Sequence, residues 1–306
     1  MKSRKIPVEF KVSDTHQSRR ERLVKEYPAI KSLVEVDPMT KVWVTLNVLV
    51  HLCMSLVSVY IENRLVFFMF CYFVGATLAH CLFLAIHELS HNSAFVTIKW
   101  NQGMGVFANL PLLIPYSATF RRYHLQHHFS LGEENDTDIP SSWECYLVSH
   151  SATCRVDHAL RKMVYLSIYI LFYALRPLVL RPDIFKWSDG WFMINTLVQI
   201  FFNLGLYHCF GSGPFVYLLL SMFLAGSLHP LSGRFLSEHL VLSKKDEVET
   251  YSYYGPENWI TYNVGYHVSS HFPRAPVFRA SNVNHVCPSR WNTTTFRKYR
   301  PATYPS

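Results

Sequence analysis

The stretch LVFFMFCYFVGATLAHCLFLAIHELSH, residues 65–91, decides the fold. Residues 65–86 hold no Asp, Glu, Lys or Arg, and the run reaches the ~20 apolar residues that a bilayer-crossing helix requires. A run of the same kind, residues 42 to about 61, precedes it, and only Glu62, Asn63 and Arg64 separate the two. So short a link makes a helical hairpin, with the N-terminal arm and the His87 end on one side of the membrane. Residues 1–41 carry ten Lys or Arg against one in the link, which places that side in the cytosol.

Working outward, residues 1–41 read as a soluble arm with short helices, broken at Pro28 and Pro38 and without a cleavable signal peptide. Lys2 excludes N-myristoylation. Residues 103–118 are apolar but interrupted by Pro111 and Pro115, and read as a partly buried or re-entrant segment. Residues 163–180 are long enough to cross, yet Arg176-Pro177 and Arg181-Pro182 interrupt the end, so an interfacial helix is an equal reading. A second hairpin is expected from residues 191–210, a Gly211-Ser212-Gly213 turn and residues 215–228. The predicted fold class is all-α: a polytopic integral membrane protein of about four transmembrane helices in two hairpins, with cytosolic caps. The sequons at Asn135 and Asn292 then fall in the cytosol and stay unmodified.

Composition narrows the class further. Half of the 306 residues are hydrophobic and 16% are charged, which excludes a disordered chain. A mean hydropathy of +0.09 fits apolar spans averaged with charged segments. The net charge of +8 raises the question of a nucleic-acid partner, but the Lys and Arg lie beside apolar spans. An anionic membrane surface is the reading, and no nucleic acid is expected. The seven cysteines are odd in number, and Cys53, Cys71, Cys81 and Cys209 sit in apolar stretches, so neither a disulfide framework nor a CxxC zinc site follows.

The sixteen histidines matter by their grouping. His87 and His91 are four apart on a helix, hence on one face and able to share a metal. His124, His127 and His128 form an HxxHH cluster after Arg121-Arg122, and His267 and His271 form a third pair. Although 33 residues separate the first two groups and 139 the last two, the topology brings all three to the cytosolic face. Isolated histidines (His51, His80, His208, His285) read as hydrogen-bonded core residues. Adjacent imidazoles are awkward to bury when protonated, so neutral, metal-bound rings explain the clusters best. The first cluster is also an HExxH, in which Glu88 would be the base of a zinc peptidase. That reading leaves the other two clusters idle. Seven or more imidazoles with few carboxylates suit two transition ions, and iron joins a nitrogen-rich site to oxygen chemistry.

These boxes resemble the integral-membrane fatty-acid desaturase and hydroxylase superfamily, and within it the sphingolipid delta-4 (dihydroceramide) desaturase branch. The resemblance rests on His87-Glu88-Leu89-Ser90-His91-Asn92, Phe107-Ala108-Asn109-Leu110-Pro111, Tyr123-His124 with His127-His128, Asp136 with Asp138-Ile139-Pro140, and Arg176-Pro177-Leu178. It extends to His229-Pro230 with Ser232-Gly233, Glu238-His239, Tyr251-Ser252-Tyr253-Tyr254-Gly255-Pro256 and, in the arm, Tyr27-Pro28-Ala29-Ile30-Lys31-Ser32-Leu33. It covers roughly residues 10 to 267. The resemblance implies a membrane desaturase domain over 42–273, between the cytosolic arm 1–41 and a divergent tail 274–306. It further implies an endoplasmic-reticulum enzyme that converts dihydroceramide to ceramide with oxygen, drawing electrons from cytochrome b5 and its NADH-dependent reductase. His87, His91, His124, His127, His128, His267 and His271 would hold two iron ions, with His239 a further candidate. Arg121, Arg122, Lys244 and Lys245 read as solvated charges or as a face for cytochrome b5.

Two departures stand out. In His267-Val268-Ser269-Ser270-His271-Phe272-Pro273 the family's histidine is replaced by Ser270 and its Asp is absent; after Pro273 the likeness ends. Arg234 stands where the family tends to have a histidine, and a guanidinium cannot ligate a metal. A C4-hydroxylase of the same family, or an inactive lipid-binding relative, therefore stays open beside the desaturase.

Overall fold

The computed structural model describes residues 25, 26, 28, 36–128, 136–138, 140, 141, 144, 155–233, 253 and 255–265. Among these residues there is no strand. The helices are α1 (Pro38–Val57), α2 (Arg64–Ser90), α3 (Ile98–Asn109), α4 (Ser117–His127), α5 (Arg155–Leu180), α6 (Gly190–Phe210) and α7 (Ser212–Ala225).

Local chemistry sets the first hairpin. The Asp37 carboxylate accepts the Met39 amide at 2.9 Å, and Pro38 takes the first helical position, where its missing N–H costs nothing. Asn63 starts α2 by accepting the amides of Leu65 and Val66 at 3.0 and 3.1 Å. The hairpin matches expectation, and α2 continues beyond the apolar run through the His87 box to Ser90, as the helical spacing of His87 and His91 requires. Nothing in the sequence breaks it until Asn92, which has φ 61.

Helix α2 is the central element and packs against α1, α3, α4 and α7. Leu82, Ile86 and Leu89 of α2 meet Val44 and Val48 of α1, Ala108 of α3 and Phe120 of α4 in one buried cluster. Residues Cys71–Gly75 form a π-turn within α2, and a Cβ on Gly75 would land on the Ser221 side chain of α7. Glycine is what lets these two backbones approach.

The apolar segment 103–118 is the end of α3, a 3₁₀ turn over Leu110–Leu112, a left-handed Leu113 (φ 62) and the start of α4. Its backbone is satisfied by buried amides. Asn109 accepts the amides of Tyr116 and Ser117 at 2.9 and 2.7 Å. Gln199 and Asn203 of α6 donate to the carbonyls of Leu110 and Leu113 at 3.0 and 2.8 Å. A break in a helix away from water is tolerated only with such partners.

Three helical stretches are long and apolar enough to cross a membrane: Pro38–Tyr60, Arg64–Ser90 and Ala159–Leu180. The third is the segment whose sequence fits a span and an interfacial helix equally. The expected second hairpin is present as α6 and α7 around Gly211 (φ 74). Neither of its helices reaches the same standard, because α6 buries Asn195, Thr196 and Gln199 and α7 has only 14 residues.

Candidate metal centre

Two helix ends bring the first two histidine boxes together. His87 and His91 are one turn apart at the C-terminus of α2; His124 and His128 are one turn apart at the C-terminus of α4. Arg121 of α4 fixes the two ends against each other by donating to the carbonyls of Leu89, at 3.4 Å, and Ser90. A guanidinium there meets the unpaired carbonyls and negative dipole end of α2.

One ligand nitrogen from each of His87, His91, His124 and His128 lies within 4.8 Å of the others, a set that could hold a metal ion. The Nε2 atom of His124 is 3.0 Å from that of His91 and 2.9 Å from that of His128. The rings of His87 and His124 are 4.4 Å apart, and Phe120 stacks on His124 at 4.7 Å. Burial, and after it the neighbouring histidines, hold the imidazoles of His91 and His128 well below the ordinary histidine range. They are therefore neutral, which is the ligating form.

Carboxylates orient the outer edges of these rings. His124 Nδ1 lies 2.6 Å from Asp138 Oδ2, and His127 Nδ1 lies 2.9 and 2.8 Å from the two oxygens of Asp136. A carboxylate can only accept, so each Nδ1 carries the proton and each Nε2 is left with its lone pair. Glu88, fully buried, sits 3.2 Å from Nδ1 of its neighbour His87 in the same manner. Used this way, Glu88 orients an imidazole, which differs from the water-activating base of a zinc peptidase.

A further layer holds the carboxylates. Tyr173 of α5 donates to Asp138 Oδ1 at 2.6 Å, and the Asp138 amide donates to Asp136 Oδ1 at 3.0 Å. Arg176, also on α5, donates to the Thr137 carbonyl at 3.0 Å and grips Glu144 with two nitrogens at 2.8 and 2.6 Å. Ser141 donates twice to Glu144 Oε2, and Tyr165 donates to its Oε1 at 3.3 Å. Burial pushes the Glu144 carboxyl up, but the hydrogen bonds and charge of Arg176 outweigh it and hold the group below its usual range.

Of the residues proposed from sequence, His87, His91, His124 and His128 converge. His127 lies beside them, 5.9 Å from His124 ring to ring, and turns its Nδ1 to Asp136. His239, His267 and His271, with Ser270, Arg234, Lys244, Lys245 and the 274–306 tail, lie outside the described residues. Arg121 and Arg122 are not solvated charges: Arg121 caps α2, while Arg122 donates to the Ile184 carbonyl at 2.8 Å and pairs with Asp189. His51 is a core residue as expected, but neither of its ring nitrogens has a hydrogen-bond partner among the described residues; His208 is exposed. Glu144, Tyr165 and Tyr173 were not legible as site residues. Arg176 within an apolar helix was the one available signal, since a charge at such a position needs a buried partner.

The model of the family described as fatty acid desaturase matches residues 63–286. A protein of Arabidopsis thaliana named sphingolipid delta(4)-desaturase DES1-like is 41% identical over 265 residues, which are 86% of this chain and 76% of the relative. The human sphingolipid delta(4)-desaturase/C4-monooxygenase DES2 is 40% identical over 281 residues, 90% of this chain and 83% of the relative. Sphingolipid delta(4)-desaturase DES1 of Rattus norvegicus is 41% identical over 268 residues, covering 85% and 78%.

Proposed function

Because the chain belongs to the fatty acid desaturase family, a family of oxygen-dependent oxidoreductases, we propose that it is a sphingolipid delta-4 desaturase, forming the trans double bond at carbons 4 and 5 that turns dihydroceramide into ceramide. The observation that carries this reading is the meeting of His87, His91, His124 and His128, from two boxes far apart in sequence, at one buried point.

The donor set suits iron: neutral imidazoles in a largely buried cluster, each of His87, His124 and His127 held by a carboxylate at Nδ1. His87, His91, His124, His127 and His128, completed by His267 and His271 and with His239 as a further donor, would hold two iron ions. Bound iron supplies the oxygen activation that breaking an unactivated C–H bond demands. The chain's own part is to bury the cluster and to fix the imidazole tautomers through Asp136 and Asp138. Electrons would come from cytochrome b5 and its NADH-dependent reductase at the endoplasmic-reticulum membrane, with the N-terminus cytosolic. The reductase chain and the compartment are inferred from the family and from the basic arm.

Expression in desaturase-null cells fed dihydroceramide tests the reading by product mass. A product lighter by two hydrogens supports it, and no product contradicts it. A product heavier by one oxygen supports C4-hydroxylation instead, a reading favoured by the C4-monooxygenase named in the human relative.

A further inference from the structure

The connection from α2 into the first turn of α3, residues 95–100, turns its large apolar side chains outward: Val96 is 85% exposed, Trp100 68% and Ile98 45%. Asn101, fully buried, holds this turn from inside. It accepts the amides of Ala94 and Phe95 at 3.1 Å each and donates to the carbonyls of Phe95 and Thr97 at 2.6 and 3.1 Å. Both ends of its side-chain amide are thus used, and the backbone that presents Val96, Ile98 and Trp100 is set. The level of the turn is set as well. The Asp37 amide donates to the Ser93 carbonyl at 2.8 Å, and Lys41 Nζ stands 5.3 Å from the centre of the Phe95 ring. Residues 95–100 therefore lie beside the start of the apolar stretch Pro38–Tyr60 and the end of Arg64–Ser90, which meet one face of the bilayer. Apolar side chains with a tryptophan among them at that level fit the boundary between headgroups and acyl chains.

Charge selects the lipid. Lys41 and Lys99 are exposed beside these side chains. Between residues 38 and 105 the acids are Glu62, at the far end of the hairpin, and Glu88, which is buried. The Asp37 carboxylate is turned to the Met39 amide. We propose that residues 95–100, with Lys41, form an interfacial anchor for anionic phospholipid, in which Val96, Ile98 and Trp100 enter the acyl boundary while Lys41 and Lys99 meet the charged headgroups. An acidic protein would answer the two lysines but leave the apolar side chains in need of a pocket, whereas an anionic leaflet supplies both partners at the level where the helix ends already lie. The anchor also bears on the histidines. Ser93 Oγ donates to the Glu88 carbonyl at 2.9 Å, inside the His87–His91 turn, so the depth of the connection fixes the depth of that box. That bearing on a metal centre rests on the desaturase reading; the lipid contact does not.

The test uses the full chain in phosphatidylcholine nanodiscs, with brominated phosphatidylserine or brominated phosphatidylcholine added at equal mole fraction as quencher. The signal of Trp100 is the emission that Trp100→Phe removes. Both lipids should quench it, phosphatidylserine more strongly, by about fivefold for each lysine that the headgroups meet. Lys41→Gln and Lys99→Gln should each lower the preference, and the double variant should abolish it. Lys99→Arg, which keeps the charge, should retain it. Raising the salt should weaken the preference and leave quenching by phosphatidylcholine unchanged. Absence of Trp100 quenching by either lipid puts the connection in water or under a protein and overturns the anchor. Equal quenching by the two lipids in the wild type, or a preference that survives the double variant, overturns the anionic site. If dihydroceramide is converted without the preference, the desaturase reading stands and the anchor falls; if the preference holds without conversion, the anchor stands and the desaturase reading falls.

Discussion

The carboxylate of Asp138 accepts the Nδ1–H of His124 at 2.6 Å and, on its other oxygen, the hydroxyl of Tyr173 at the same distance. One side chain thereby joins α4, which carries two of the converging histidines, to α5. Outer partners of this kind are worth about 10- to 100-fold in metal affinity or activity. Asp138→Ala should weaken iron retention by that order in a chelator titration, and Tyr173→Phe by less. Equal iron retention in Asp138→Ala and wild type would show that Asp138 does not support the metal.

Arg176 and Glu144 form a buried ion pair whose remaining donor holds the Thr137 carbonyl. Removing one member of such a pair costs about 3–5 kcal/mol, because the other charge is stranded. Arg176→Leu should lower the melting temperature markedly. Replacing both members with apolar residues should recover much of that stability, yet iron should stay loose because Thr137 is released. Recovery of both properties together would show that the pair serves stability alone.

The same pair predicts a sign for acid sensitivity. The Glu144 carboxyl titrates below its unfolded value, so its contribution is fully present above about pH 4.3, the ordinary glutamate value, and is lost as the pH falls through the lower folded value. Between pH 8 and 5 this pair should contribute no change in stability. Glu144→Gln should be less stable at neutral pH and show a shallower loss in acid, read by thermal melts across the pH series.

Gly75 and Ser221 test the packing of α2 on α7. A valine at position 75 has to displace the Ser221 side chain, and overpacking of this kind costs about 1–3 kcal/mol. Gly75→Val should lower the melting temperature, and adding Ser221→Gly should restore part of it. No rescue would locate the strain elsewhere.

Where the chain could be read directly, the reason was local periodicity. The first hairpin followed from two uncharged runs and a three-residue link, and the pairing of His87 with His91 followed from spacing of four on a helix, whereas the one-turn relation of His124 and His128 is seen only once α4 is in place. His127 shares a box with His124 and His128, but a step of three turns it toward Asp136, which spacing alone does not announce. Gln199 and Asn203 lower the apolarity of α6 because they serve the backbone of a turn some ninety residues earlier, and Asn195 does so because it accepts the Ala118 amide in the first turn of α4. Glu144 and Arg176 are 32 positions apart, and only the packing of α5 reveals that they meet.

Metal analysis of the purified full-length chain addresses the central claim most directly. Iron is expected, approaching two ions per chain, and it should fall sharply in His124→Ala and in His128→Ala. Zinc in place of iron, or an iron content unchanged by both substitutions, would contradict a histidine-held iron centre.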